Sequence, residues 1–268
     1  MIPKRLQVEA LSLIMERSRR VGIHRYSNGI PAVDSDSLAS ETLLHLYSGG
    51  VKIASLLGTP TDLAELFIGH ALAEGYGLHS DGKVSIERSD SGSLLLDLDK
   101  ILTPNPSAER IITSSCGACN ADGLEELISQ LPAFSGAHPR FTHALLNDAF
   151  QSMKTQQIGF IETGGMHAAA MWTHESGLQH IAEDIGRHNA VDKCIGMSIL
   201  SGQRLESSML LLSGRCGWDL VAKAARSGIG TIVCIGACST LAADTARSLN
   251  MRIFSFMKPK SCVGIGHL

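Results

Sequence analysis

The chain lacks what would mark it for a membrane, for a nucleic acid or for secretion. Its 268 residues carry 23 Lys and Arg against 26 Asp and Glu, a formal charge of −3. There is therefore no bulk positive field for nucleic acid or an acidic membrane surface, and any anionic ligand must be met by local basic groups. No apolar run approaches bilayer length; the best, around Met209–Leu212 and Ile229–Ile235, are strand-sized. At the N-terminus, Lys4, Arg5, Glu9, Glu16, Arg17, Arg19 and Arg20 surround a short apolar stripe that has neither a signal-peptide core nor a small-residue cleavage site. A soluble, cytoplasmic protein is the expectation. Internal repeats and low-complexity tracts are also missing, and 7 Cys, an odd count in a chain of this size, argue against a secreted disulfide framework.

Cytosolic thiols invite a metal or redox reading. Ser114-Ser115-Cys116-Gly117-Ala118-Cys119-Asn120 sets two of them three residues apart, with Gly117 permitting a tight turn and a helix-like Leu124–Ile128 following. A cysteine near a helix N-terminus has a depressed pKa and more thiolate, the species that attacks sulfur or binds metal. A sulfur or redox carrier, half of a zinc site and a buried pair all remain open on this motif alone. Zinc needs further ligands and no second C-x-x-C exists, so no metal site is expected. Zinc deaminases place His-x-Glu upstream and a proline before the first cysteine; here Ser115 stands in that place and no His-x-Glu precedes it. Cys234 and Cys238, at a strand end and the turn after it, read as small buried hydrophobes.

The densest polar stretch is Glu183-Asp184-Ile185-Gly186-Arg187-His188-Asn189-Ala190-Val191-Asp192-Lys193, where strand-like Leu178–Ala182 gives way to a helix. Free N–H groups and cations at a helix start form an anion site. The plainer alternative is a capped helix whose acids complement the dipole and whose cations pair with them.

Along the chain, Thr59-Pro60-Thr61-Asp62 has the order of an N-cap, an N1 proline and an N3 acid ahead of a helix that ends near Gly75. Lys83–Arg88 and Ser93–Leu98 read as short strands, so the front is a small α+β unit. From Gly159 the reading is strand (Gly159–Thr163), strand (Ala168–Thr173), strand (Leu178–Ala182), helix after Arg187, strand (Met209–Leu212), helix (Asp219–Arg226), strand (Thr231–Ile235), helix (Thr240–Leu249) and strand (Arg252–Phe256). That alternation predicts an α/β fold with a mainly parallel sheet covered on both faces. The expected divisions are 1–110, an N-terminal α+β domain; 111–139, a cysteine loop and crossing; and 140–268, the α/β domain. Ligands bind at the carboxyl ends of strands in such sheets. Gly164-Gly165 with His167, Ser213-Gly214-Arg215 and the 184–193 stretch all fall there.

Ser114 to Cys119, Thr163 to Ala169, Glu183 to Lys193, and Ser213-Gly214-Arg215 with Leu220 to Ala224 resemble, in that order, the formate dehydrogenase accessory sulfurtransferases, FdhD. The front half fits through Asn28-Gly29 and Thr59 to Leu66. The resemblance implies a cytidine-deaminase-like three-layer α/β/α core with a mixed, mainly parallel sheet, a small N-terminal α+β domain, and a homodimer. It also implies a carrier that accepts sulfane sulfur from a cysteine desulfurase and delivers it to the molybdenum or tungsten bis(guanine dinucleotide) cofactor before that cofactor enters formate dehydrogenase. A cofactor-binding chaperone without sulfur chemistry is the rival. On this reading Cys116 carries the persulfide and Cys119 is relay or reductant. Gly164, Gly165, His167, Asp184, Gly186, Arg187, His188, Asn189, Asp192, Lys193, Ser213, Gly214 and Arg215 hold the cofactor, and GDP-like nucleotides bind the same residues. The charge of Arg187, His188, Lys193 and Arg215 suits pyrophosphate, while Asp184 or Asp192 suits a guanine edge. The family's aromatic-x-Arg-Gly loop after its last strand corresponds to Phe256-Met257-Lys258-Pro259-Lys260-Ser261, where Lys replaces Arg and Pro replaces Gly. The bidentate fork and one N–H are lost there.

Overall fold

The computed structural model of the chain describes residues 7–10, 15–76, 82–100, 102 and 124–267. The front half runs β1 (Gln7–Ala10), β2 (Ser18–Ser27), β3 (Ile30–Ala39), β4 (Thr42–Ser48), β5 (Val51–Gly58), α1 (Leu63–Ala73), β6 (Lys83–Arg88) and β7 (Leu94–Leu98). One sheet has the order β1-β6-β7-β4-β5, and β2 with β3 makes a separate ribbon. Alternation turns Leu44 and Leu46 of β4, and Leu94, Leu96 and Leu98 of β7, to one face, where they pack with Leu66 and Phe67 of α1. Each such burial is worth roughly 1.5–3 kcal/mol.

The rest runs α2 (Leu124–Ser129), α3 (His143–Gln156), α4 (Ile158–Thr163), β8 (His167–Thr173), β9 (Gly177–Asp184), α5 (Arg187–Leu200), β10 (Met209–Leu212), α6 (Trp218–Arg226), β11 (Thr231–Cys234), α7 (Thr240–Ser248), β12 (Arg252–Lys258) and β13 (Ser261–Gly266). The second sheet has the order β13-β12-β11-β10-β8-β9. Its central strands are near-continuously apolar because both faces are covered. Ala169, Met171, Leu210, Leu212 and Ile232 pack with residues of α5, α6 and α7, while Ala170, Trp172, Leu211 and Val233 pack with Leu146, Phe150 and Met153 of α3. Three layers, α/β/α, result.

Helix α1 is buried nearly all round, since it lies between its own sheet and α5. The helices touch backbone to backbone. A Cβ on Gly69 would overlap the Asp192 carbonyl oxygen, and one on Gly196 would overlap that of Glu65. This crossing couples the two sheets.

Three expectations change. The second sheet is mixed, as expected, but not mainly parallel: β10–β11 and β11–β12 are parallel, whereas β8–β9, β8–β10 and β12–β13 are antiparallel. Short turns join β8 to β9 and β12 to β13, and such connections permit only antiparallel pairing. Residues 159–163 are helical, not a strand. The Glu183 carboxylate accepts the Gly159 and Phe160 N–H groups at 2.7 and 2.8 Å, capping α4 from far along the chain, and Gly164 ends it at φ +66. Thr59 does not cap α1, whose N-cap is Asp62 in a left-handed conformation. The Thr59 hydroxyl instead accepts from Ile185 N–H, its N–H donates to Asp184 Oδ2, and its carbonyl accepts from Lys193 Nζ.

Candidate functional site

Strands β10, β11 and β12 end at one edge of the second sheet, and the antiparallel β8 and β13 start there, with β9 ending beside them. That edge therefore gathers His167, Asp184, Ser213–Arg215, Gly236 and Phe256–Ser261. Backbone bonds stitch it together. Ser213 N–H donates to Ala168 O at 3.0 Å, while Ser213 Oγ accepts from Ala168 N–H at 2.8 Å. Gly236 N–H donates to Gly214 O, and Phe256 N–H to Gly236 O, both at 3.0 Å. The loops are thus extensions of the strand ladder, positioned by the core beneath. Gly214 lies close to His167, whose Nδ1 would be 3.4 Å from an added Cβ.

Helix α5 begins at this edge with Gly186 as N-cap. Arg187 and His188, on its first turn, both reach Asp219 on the first turn of α6; the Arg187 contact is 3.1 Å. Burial pushes the Asp219 carboxyl up, but the His188 hydrogen bond and the charges of His188 and Arg187 outweigh it and hold the pKa at about 2. Partial burial and the positive fields of Arg187 and Arg215 lower the His167 pKa. Three segments thus meet electrostatically, and Arg187 and Arg215 are exposed.

The same stretch also turns inward, and there the expectation is corrected. Lys193 and Asp184 are fully buried and pair at 2.7 Å, and the ammonium also donates to the carbonyls of Thr59 and Glu183. Asn189 is buried too, donating to Leu57 O and Asp184 Oδ1. Asp192 accepts from Lys223 Nζ at 2.8 Å and meets His70 Nδ1 at 3.0 Å, with Glu74 completing the cluster. Burial opposes ionisation of Asp192, but Lys223 and His70 overcome it and lower its pKa. Asp184, Asn189, Asp192 and Lys193 therefore tie α5 to the front half and α6. None presents its polar group to a nucleotide. Gly186 works beside them, its N–H donating to Asp184 Oδ1 at 2.7 Å. The plainer reading, a helix whose charges pair internally, holds for this inner face.

The segment 256–261 is the end of β12, a turn at Pro259-Lys260, and the start of β13, rather than a free loop. Met257 is buried in the core on the α3 side and is not a surface contact. Phe256, Lys258, Pro259, Lys260 and Ser261 are exposed. Phe256 has φ +52, which costs a side-chain-bearing residue on the order of 1–3 kcal/mol. In this conformation Phe256 is left 46% exposed at the sheet edge.

Gly164 and Gly165 are exposed beside His167, with Gly164 serving as the stop of α4. Cys116 and Cys119 lie outside the described residues. Among the described residues no group of three or more His, Cys, Asp and Glu is placed to hold a metal ion, and no helix is long and apolar enough to cross a membrane. Sequence reasoning missed Asp219 and Thr59 as partners. An acid just after Ser213-Gly214-Arg215 was the available signal for the first; nothing local marks the second.

Residues 39–263 match the FdhD/NarQ family model. The chain belongs to the FdhD/NarQ family. The sulfur carrier protein FdhD of Streptomyces coelicolor is 30% identical over 259 residues, covering 91% of this chain and 92% of the relative. That of Burkholderia pseudomallei is 32% identical over 256 residues, covering 86% and 89%. That of Picrophilus torridus is 30% identical over 211 residues, covering 77% and 79%. A chain from Desulfotalea psychrophila, solved under the description of a formate dehydrogenase accessory protein, superimposes with a TM-score of 0.68 at 23% identity, covering 93% of this chain and 96% of that one. That likeness bears on the fold.

Proposed function

We propose that this FdhD/NarQ protein is a sulfur carrier in formate dehydrogenase maturation. It accepts sulfane sulfur from a cysteine desulfurase as a persulfide on Cys116, aided by Cys119. It then passes that sulfur to the molybdenum or tungsten bis(guanine dinucleotide) cofactor, its substrate, working as a cytoplasmic homodimer. The supporting observation is the convergence of Arg187, Arg215, His167 and Ser213 on one rigid sheet edge beside the outward ring of Phe256. The guanidinia suit the pyrophosphates, since Arg makes bidentate, charge-assisted bonds to such oxygens. The ring of Phe256 offers a stacking face to a guanine, and Lys258 and Lys260 add charge at the same end. Burial and the charges of Arg187 and Arg215 lower the His167 pKa and so favour its neutral form, in which one ring nitrogen donates and the other accepts.

Incubation with a cysteine desulfurase and cysteine, followed by intact mass measurement, tests the carrier. One sulfur atom is expected on the wild-type chain and none on the Cys116→Ala, Cys119→Ala double variant. No adduct on the wild type, or an equal adduct on both, sinks the proposal.

A further inference from the structure

Three thiols gather beneath the same edge and have no part in the carrier scheme. Cys216 follows Arg215, Cys234 ends β11, and Cys238 precedes Ser239, the N-cap of α7. Cys216 and Cys238 face each other in a parallel bridge beyond the ends of β10 and β11. It is closed by Cys216 N–H to Ala237 O at 3.0 Å and Ser239 N–H to Cys216 O at 3.1 Å. Neighbouring strands run about 4.7–4.9 Å apart, inside the roughly 4.4–6.8 Å that a disulfide bridges between Cα atoms. All three thiols are free; Cys216 and Cys234 are buried, whereas Cys238 is part-exposed. The expectation of plain buried hydrophobes therefore does not describe Cys238. Burial, then the neighbouring Cys234, Cys238 and Asp219 charges, push the Cys216 thiol well up, and burial carries Cys234 to about 12.

Sulfane sulfur is two electrons short of the sulfide that a metal centre takes as a ligand, so its delivery needs a two-electron reductant. Resting on the carrier reading above, we propose that Cys238 and Cys216 are the dithiol that reduces it. Cys238 thiolate attacks the terminal sulfur of a persulfide R–S–SH presented at the edge, forming Cys238–S–SH and expelling R–S⁻, which takes up the proton Cys238 gave up. The Cys216 sulfur then attacks the inner sulfur of Cys238–S–SH. The S–S bond to the terminal sulfur breaks, and that sulfur leaves with the Cys216 proton as hydrogen sulfide. In sum, R–S–SH and two thiols give R–SH, a Cys216–Cys238 disulfide and hydrogen sulfide. The sulfane sulfur gains two electrons and each cysteine loses one. A small dithiol reopens the disulfide by exchange. Exposure makes Cys238 the entry point. The raised pKa of Cys216 makes the second step the slower one, accelerating as pH rises.

The test uses the full chain carrying Cys116→Ala and Cys119→Ala, reduced, without oxygen, and cysteine persulfide as probe. Intact mass, peptide mapping and hydrosulfide release are read together. A disulfide mapped to Cys216 and Cys238, with hydrosulfide released in step, is expected. Adding Cys216→Ser should leave a persulfide on Cys238 and stop the release, and adding Cys238→Ser should abolish both. The pair is overturned if hydrosulfide release is unchanged by Cys238→Ser, if sulfur settles on part-exposed Cys262 in preference, or if the disulfide maps elsewhere. Cys238→Ser alters a part-exposed position, so the conclusion does not hang on the core variant folding. Failure here with a persulfide still forming on Cys116 of the wild type removes the reducing pair and leaves the carrier standing. Reaction of the pair without any Cys116 adduct does the reverse.

Discussion

The inner and outer faces of α5 draw their charges from one short stretch, and they do opposite things. On the inner face, Lys193 and Asp184 are buried and satisfied by each other, by Thr59 and by Asn189, while Asp192 pairs with Lys223. On the outer face, Arg187 is exposed and His188 half-buried, and both lean on Asp219 at the edge where strands end. Ion pairs in the interior must recover a desolvation penalty of several kcal/mol per ion, so they persist only with full hydrogen bonding. Surface cations incur little of that and stay available to an anion. One polar-rich stretch thus supplies both an assembly lock and the proposed ligand edge, and burial separates them.

The largest way to break this contrast is Lys193→Ala, which leaves Asp184 buried without its cation. A loss of about 3–5 kcal/mol is expected in urea unfolding. The double variant with Asp184→Asn should recover part of it, because both charges are then gone. A loss under about 1 kcal/mol would mean that Lys193 is not the lock the burial implies.

Next is Gly196→Ala. The added methyl meets the Glu65 backbone oxygen, which cannot swing aside as a side chain would, so α1 and α5 must move apart. Overpacking of this kind costs roughly 1–3 kcal/mol or more, against a slight gain from helix propensity. A neutral or stabilising result would show that the crossing is looser than the backbone contact requires.

What could be read in advance follows the range of the forces involved. Strands β10 and β11 and helices α6 and α7 carry their signals locally, in apolar runs and periods bounded by Gly and polar turns, and they fall within a residue or two of expectation. Helix α4 does not, because its cap is Glu183, which comes to it through the fold of β9. Thr59 looked like a helix cap for the same local reason, yet its groups are taken by Asp184, Ile185 and Lys193. The edge site was legible as a set of loops at strand ends. The inward half of the 184–193 stretch was not, since pattern alone cannot tell a phosphate's cation from a carboxylate's.

Acid titration sharpens the outer face. The folded Asp219 pKa, held at about 2, lies below its unfolded value of about 3.9, so the group contributes stability that is fully present above the latter. That contribution is lost as pH falls from roughly 4 towards 2, and with the site partly exposed it is on the order of 1–2 kcal/mol. Asp219→Asn should flatten this part of the stability–pH curve, and His188→Ala should shift its midpoint upward. An unchanged acid limb in both variants would detach Asp219 from His188.

The smallest effect on stability, and the most telling one for the ligand edge, belongs to Arg187→Ala and Arg215→Ala. Arg215→Ala should shift stability by about 0.5 kcal/mol or less, and Arg187→Ala, which also loses the Asp219 pair, by about 1 kcal/mol or less. Each guanidinium nonetheless offers a charge-assisted bond worth about 1.5–3 kcal/mol to a phosphate, so the dissociation constant for GDP should rise on the order of 10-fold or more in each variant. Calorimetric titration at low and moderate salt checks both the size and the expected weakening with ionic strength. Equal GDP affinity in wild type and both variants would empty the outer face of its assigned role, leaving α5 a lock on both sides. A selective loss would place the nucleotide across two loops that the pairing of β8 with both β9 and β10 brings to one edge.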